Sequence, residues 1–300
     1  MAQPPLFSIV IPTYNYATEV PRAIRSVLKQ SGNDWELIVV NDGSTDNTID
    51  VLEELKKNSS FRIFNQKNSG PAATRNKGIS LSSGQYLIFL DADDEMSENA
   101  LQHFRENICS QPDVGVFIGG HDSIYPSGKV KKHLPKLKVS TNTDILKAYL
   151  IDKSLAISNG PTAMRRDIFS NYAYPERLRC TEDIPVFAYA ISNFKTAIIS
   201  KSLARIHKHD DSLRHNTELA QEIGLSLVDE IFSKDRIPKE CQKLKSEYSS
   251  LRSLSLFRTF FLAEDYNNAR IHYKNAIKAF PASLFKLSYL RKYLKTYIKQ

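Results

Sequence analysis

Two carboxylates stand two residues apart in Asp91-Ala92-Asp93, directly after the apolar run Tyr86 to Leu90 (YLIFL). Just past a strand, this spacing can aim oxygen ligands at a hard divalent cation such as Mn²⁺ or Mg²⁺. It also leaves coordination positions for a diphosphate, whose charge the cation neutralises as it departs. Acidic pairs in loops also serve as solvated turns or helix caps, so the position after the strand carries the chemical reading. Tyr14, after Pro12-Thr13, can stack on a nucleobase or pack as a loop tyrosine. Asp42, in Asp42-Gly43-Ser44, can accept a hydrogen bond from a base N–H or make an ordinary turn. Arg75 can pair with phosphate or base oxygens, or lie exposed early in a helix. A hydroxyl is too weak an acid to attack without losing its proton in the transition state, and the adjacent acids of Thr181-Glu182-Asp183 could remove it. Acids at a helix start equally answer the helix dipole. His207, His209, Asp210 and Asp211 form a later polar cluster able to add a metal ligand or a phosphate contact.

The elements around these residues alternate. Phe7 to Ile11 (FSIVI) reads as a buried strand stopped by Pro12, and Glu19 to Leu28 carries Val20, Ala23, Ile24, Val27 and Leu28 at helical spacing. Glu36 to Val40 is a second strand ending at Asn41-Asp42-Gly43-Ser44, followed by a helical stretch from Ile49 to Leu55. Phe61 to Phe64 is a third, shorter strand, a helix begins near Pro71, and Tyr86 to Leu90 is a fourth strand. Strands that alternate with helices predict a mostly parallel, doubly wound sheet, and such sheets bind ligands beyond the carboxyl ends of their strands. Thr13 and Tyr14, Asp42, and Asp91 to Asp94 all sit at those ends. A stacking ring, a base acceptor, a cation and a metal site thus share one rim, which their separate structural readings do not predict.

From Val114 to His215 the pattern is weaker. It holds a strand-like Val114 to Ile118, a helix near Thr143 to Tyr149, and loops rich in Ser, Asn, Gly and Pro. From about Asn216 the chain turns helical, with a helical pair over Phe257 to Phe280 joined near Glu264 to Asn267. Ser283 to Ile298 then sets Leu284, Leu287, Leu290, Leu294 and Ile298 on one helical face, with Lys286, Arg291, Lys292, Lys295 and Lys299 mostly elsewhere.

The 300 residues suffice for one large α/β domain with an extension, and 41% hydrophobic and 25% charged residues are ordinary for a globular protein. The net charge of +8 is concentrated in the tail. From Lys234 onward 15 Lys/Arg stand against 5 Asp/Glu, so the preceding 233 residues carry about −2. A basic tail of this kind suits an acidic membrane surface, nucleic acid or solvated helix faces. No apolar stretch is long enough to span a bilayer, and Met1 to Pro5 lack the features of a secretion signal, so a cytoplasmic location is expected. Cys109, Cys180 and Cys241 are odd in number, widely spaced and match no metal pattern, as in a reducing compartment.

Five segments, FSIVIPTYN (7–15), ELIVVNDGSTDNT (36–48), NSGPAATRNKG (68–78), YLIFLDADD (86–94) and TED (181–183), resemble the inverting glycosyltransferases of family 2 in the family's own order. The resemblance covers roughly residues 6 to 215. It implies a GT-A fold, that is, a Rossmann-like, mostly parallel sheet with flanking helices, over 1–215. Within it, about 1–113 would be the nucleotide-sugar half and 114–215 the acceptor half, with 216–300 as a basic helical C-terminal region. Carried over by position, Tyr14 and Asp42 resemble the base-binding pair with Thr13 beside them, and Arg75 resembles a base or phosphate contact. Asp91 resembles the carboxylate near ribose and metal, Asp93 the direct ligand of Mn²⁺ or Mg²⁺, and Asp183 the general base; His209 takes a metal or diphosphate role.

The implied reaction moves one sugar from a nucleotide-sugar, of UDP type, onto a hydroxyl of a glycan or lipid-linked glycan with inversion, in bacterial surface polysaccharide or lipopolysaccharide assembly. Asn159-Gly160-Pro161-Thr162 would face the acceptor. Asn41 departs from the acid often found before Asp42. The chain lacks the Gln-x-x-Arg-Trp signature of processive synthases, Trp35 being its only Trp, so single addition is favoured. The C-terminal basic helices resemble extensions in relatives that act on lipid carriers, and an anionic membrane surface is a matching partner.

Three other readings compete. A nucleotidyltransferase predicts a glycine-rich phosphate loop where Pro12-Thr13-Tyr14-Asn15 stands. A non-catalytic sugar-nucleotide scaffold would tolerate loss of Asp93 or Asp183, and both are present. A nucleic-acid binder would need a binding module that the sequence does not show.

Overall fold

The computed structural model describes residues 4–136, 141–208 and 217–298. Its first half alternates strand and helix as the sequence predicts: β1 (Phe7–Thr13), α1 (Val20–Leu28), β2 (Trp35–Asn41), α2 (Thr48–Lys57), β3 (Arg62–Asn65), α3 (Pro71–Leu81) and β4 (Tyr86–Phe89). β1 pairs in parallel with β2 and β4, and β2 pairs in parallel with β3. Strand β1 runs two residues past its expected last residue, Ile11, through Pro12 to Thr13. The β4 register ends at Val10↔Phe89, so the missing N–H of Pro12 faces a side with no ladder to complete, while Thr13 O still accepts from Asp42 N at 2.9 Å.

Past β4 come β5 (Glu95–Met96), α4 (Ala100–Ser110), β6 (Val116–Ile124), β7 (Val130–His133), α5 (Asn142–Leu150), β8 (Thr162–Arg165), α6 (Asp167–Asn171), α7 (Asp183–Asn193) and β9 (Thr196–His207). They complete one sheet in the order β3-β2-β1-β4-β8-β6-β9-β5, with β7 on β6. Here directions mix: β8 lies antiparallel to both β4 and β6, β9 runs parallel to β6, and β5 is antiparallel to β9. The C-terminal helices are α8 (Thr217–Ile223), α9 (Ser226–Ile231), α10 (Lys245–Leu262), α11 (Tyr266–Ala279) and α12 (Leu287–Lys295). Among the described residues no helix is long and apolar enough to cross a membrane.

Strand periodicity sorts the core into two layers. Phe7, Ile9 and Ile11 of β1, with Tyr86, Ile88 and Leu90, meet α1, α2 and α4 on one face. Val10, Leu87 and Phe89 point the other way, toward α5, α6, α7, α9 and Tyr248 of α10. Helix α3 lies unusually close to β1: a Cβ on Gly78 would stand 2.3 Å from Val10 Cγ1, so only glycine admits this approach. A third cluster, Leu254, Leu256, Phe257, Phe260, Ala269, Tyr273 and Ala276, holds α10 and α11 together.

Candidate active site

The carboxyl ends of β1, β2 and β4 open onto a cleft of about 460 Å³ lined by Thr13, Tyr14, Tyr16, Asp42, Asn68, Gly70, Thr74, Arg75, Asp91 and Asp93, among others. All six residues expected to bind a donor therefore share one cavity. Tyr14 is presented by a turn in which Asn15 takes a left-handed φ of 56° and its side chain grips Thr45, whose N–H donates to Asn15 Oδ1 at 2.8 Å. Tyr14 stays 42% exposed, so its ring is open to stacking. Thr13 is buried, and its hydroxyl has no hydrogen-bond partner among the described residues.

Asp42 is buried and already engaged. Its Oδ1 accepts from Gln66 Nε2 (2.7 Å) and Ser69 N (2.9 Å), and its Oδ2 accepts from Gly70 N (2.8 Å). It thereby fixes the loop 66–70, which leads into α3 through Gly70 at φ 89° and Pro71 in the first turn. Gly43, at φ +70°, makes room for this loop, because a Cβ there would lie 2.8 Å from Asn68 N. Asn41, where an acid was expected, holds the same corner: its Oδ1 accepts from Ser44 Oγ at 2.5 Å, and its Nδ2 donates to Asn65 at 3.0 Å.

Arg75 is buried rather than exposed. Its Nη2 donates to Asp91 Oδ1 at 2.8 Å, its Nη1 donates to Glu182 Oε1 at 2.6 Å, and the Tyr174 ring lies 5.4 Å from its guanidinium carbon. Burial opposes the charge, yet Asp91, Tyr174 and Glu182 together raise its pKa above the ordinary arginine value. The guanidinium thus ties the Asp91 loop to the start of α7. Asn159, from the expected acceptor segment, reaches Asp91 Oδ1 at 3.5 Å.

Asp183 opens α7, and after burial its charge is among the influences that raise the hydroxyl pKa values of the buried Tyr149, Tyr174 and Tyr248. Its own carboxyl is pushed up to about 6, first by burial, then by Glu182 and Asp91, against the pull of Arg75. A carboxylate titrating there is a stronger base than an ordinary one and still ionised at neutral pH.

The loop after β4 is anchored from both sides. Asp94 Oδ1 accepts from His207 N at 2.9 Å, and burial together with Asp91 and Asp93 raises the Asp94 carboxyl. The His207 ring meets Glu95 at 2.8 Å, which makes it a strut of this loop. The Asp93 carbonyl accepts from Arg22 Nη2. His209, with Asp210 and Asp211, lies outside the described residues.

Two site residues carried little sequence signal. Tyr16 lines the cleft, and its hydroxyl is pushed up to about 12 by burial, Asp93 and Asp91 in that order, so it stays a proton donor. Its position two residues after Tyr14 was the one available hint. Tyr174, stacked over Arg75, had none. Among the described residues no three His, Cys, Asp or Glu side chains converge as a metal cage. Asp91 and Asp93 nonetheless fit a Mg²⁺ or Mn²⁺ ion, which characteristically takes one or two carboxylates and completes its shell with water and substrate phosphate.

The sheet order and the acidic loop at its strand ends define a GT-A fold. The chain belongs to glycosyl transferase family 2, whose model matches residues 8–173. GgaA, a minor teichoic acid biosynthesis protein of Bacillus subtilis, is 29% identical over 248 residues, covering 76% of this chain and 55% of GgaA. The chain spans about a third of the length of the first curated relatives it matches. Among solved structures, S. aureus TarS 1–349 superposes with a TM-score of 0.69 at 20% identity over 97% of this chain and 88% of that one; the same protein has been seen with UDP-GlcNAc. The mannosyltransferase PcManGT of Pyrobaculum calidifontis, in complex with GDP-Man and Mn²⁺, gives 0.57 at 15% identity over 99% of this chain and 88% of that one.

Proposed function

We propose that this chain transfers a single sugar from a nucleotide-sugar, of UDP type, to a hydroxyl of a glycan or lipid-linked glycan, with inversion, in the assembly of a bacterial surface polymer. The observation that carries this reading is the Asp91–Arg75–Glu182 chain of ion pairs, which couples the donor cleft to the segment bearing Asp183. Tyr14 would stack on the base, Asp42 would hold the base edge with Thr13 beside it, and Arg75 would add its remaining N–H groups toward the phosphates. Asp91 and Asp93 would hold Mg²⁺ or Mn²⁺, which supplies charge neutralisation for the leaving diphosphate. Asp183, from the acceptor half, would take the proton from the attacking hydroxyl as that oxygen approaches the anomeric carbon from the face opposite the diphosphate. On this reading residues 1–113 form the donor half, 114–215 the acceptor half and 216–300 an appended helical region, and the enzyme works on the cytoplasmic side.

The test is hydrolysis of a panel of sugar nucleotides by the purified chain with Mn²⁺ or Mg²⁺. Slow metal-dependent release of nucleotide from one donor is expected, reduced about 100-fold or more in Asp93→Ala. Turnover that ignores both the metal and Asp93 would sink the proposal.

The C-terminal helix supports a membrane partner. Tyr289 and Tyr293 pack α12 against Phe257 and Tyr273. Leu287 and Leu294 remain exposed, as do Phe285 and Ile298 at 80% and 81%. Lys286, Arg291, Lys292 and Lys295 interleave with them, the pattern of a helix lying at an anionic lipid surface. Co-sedimentation with phosphatidylglycerol vesicles should be lost in Phe285→Glu/Leu287→Glu; equal sedimentation of the variant would refute the membrane role of this face.

A further inference from the structure

A second cleft, of about 540 Å³, is lined by Arg22, whose Nη2 donates to the carbonyl of Asp93 in the lining of the first. Arg22 and Arg25 of α1 and Lys29, the residue that caps it, follow each other at spacings of three and four residues, and Arg205 of β9 lines the same cleft. Glu95 and Glu98 are the carboxylates of the lining. The floor is fixed: Ser26 Oγ accepts from Met96 N at 2.9 Å, and Gln30 donates to Ser97 O at 3.0 Å and accepts from Leu101 N at 3.1 Å.

The charges do not balance. Glu95 is answered three times, by His207 at 2.8 Å, Arg22 at 3.7 Å and Arg205 at 3.9 Å. Arg25 and Lys29 are left without an ion pair among the described residues, with Glu98 as the one further acid in the lining. Arg22 Nε is buried and has no hydrogen-bond partner among the described residues, since its approach to Glu95 is too long for one. Four cations therefore face two acids, with an unspent buried donor among them.

We infer that this cleft is an anion site for phosphate groups, distinct from the donor cleft. Three guanidinium forks and an ammonium converging on one space suit a group with several oxygens and more than one negative charge, and the volume exceeds what one carboxylate fills. The phosphate can come from a phosphodiester carried along the acceptor chain or from a free polyphosphate in solution. Either would lie beside Arg22, which donates to the Asp93 carbonyl and so links the site to the loop that lines the donor cleft. This inference does not depend on the donor reading, and its test separates the two.

The full-length chain would be titrated calorimetrically with inorganic tripolyphosphate and, separately, with a short glycerol phosphodiester oligomer, both with EDTA present and at low salt. Saturable binding that weakens as salt rises is expected for at least one probe. Arg25→Glu/Lys29→Glu should weaken it about tenfold or more, two attractions having become repulsions. The same variant should keep the wild-type melting curve and wild-type sugar-nucleotide hydrolysis, and Asp93→Ala should bind the probe as wild type does. Preference for the oligomer assigns the phosphate to the acceptor chain, and preference for tripolyphosphate assigns it to a soluble anion. Absence of saturable binding overturns the inference, as does binding that survives Arg25→Glu/Lys29→Glu.

Discussion

Asp183→Asn is expected to lower kcat for sugar transfer by about 10²- to 10⁴-fold, the range lost with a general base, while nucleotide affinity stays at the wild-type value. The split follows from position. Asp183 stands at the start of α7, and the donor cleft is lined by residues up to Asp93. The pH profile has a definite sign. A base acts in its unprotonated form, so the wild-type rate should climb through about pH 6 and then level. The same shift acts oppositely on stability. The folded carboxyl holds its proton more tightly than the unfolded one, so ionising it erodes stability as pH rises from about 4 to about 6. Asn escapes that penalty, and the variant should be more stable than wild type at pH 7, on the order of 1–3 kcal/mol. Kinetics and thermal melts across this window check both halves. A variant that is less active and also less stable would mean that Asp183 serves the fold instead.

The second large effect is expected at Arg75. Arg75→Met removes the partner of two carboxylates at once and leaves Glu182, whose side chain is 7% exposed, charged and unpaired. Breaking a buried pair in this way costs about 3–5 kcal/mol, and the lower end applies because Asp91 can rehydrate. Denaturant unfolding at pH 7 measures the loss. Activity should fall with the fold intact in Arg75→Lys, since a single ammonium cannot match the two-armed contact to Asp91 and Glu182. Wild-type kcat in Arg75→Lys would show that the bridge is incidental to transfer.

How far the sequence reveals this molecule depends on how far apart the deciding contacts lie. β1, β2 and β4 are legible because each is a short apolar run flanked by turn residues, and the residues at their ends fall on one rim by topology alone. The burial of Arg75 is not legible, because Glu182 is 107 residues away and no local period records such a pair. β9 escapes for a different reason: its burial pattern is irregular, and its register against β6 shifts around Gly119, Gly120 and His121, so neither alternation nor a continuous apolar run marks it. The two-residue β5 lies below the length at which periodicity exists. His207 illustrates the limit for function. A histidine near other polar residues invites a ligand role, and only the fold reveals that it spends its ring on Glu95 and its backbone N–H on Asp94.

Glu230 of α9 is buried and takes Tyr172 (2.7 Å), Arg177 and Arg236 as partners, while Leu227, Ile231 and Tyr248 share the core of α5 and α7. Seen as inheritance, this divides the C-terminal helices into two kinds. An exchange of α9 or α10 between relatives would have to carry the loop 172–182 with it, because a foreign helix would leave Tyr172 and Arg177 without Glu230, or Tyr172 and Tyr174 without Tyr248 in their shared core. α12, which touches the rest through Phe257 and Tyr273 of the third cluster, is free to be replaced. On the membrane role proposed for α12, lineages could therefore change where the enzyme is berthed without disturbing what it makes.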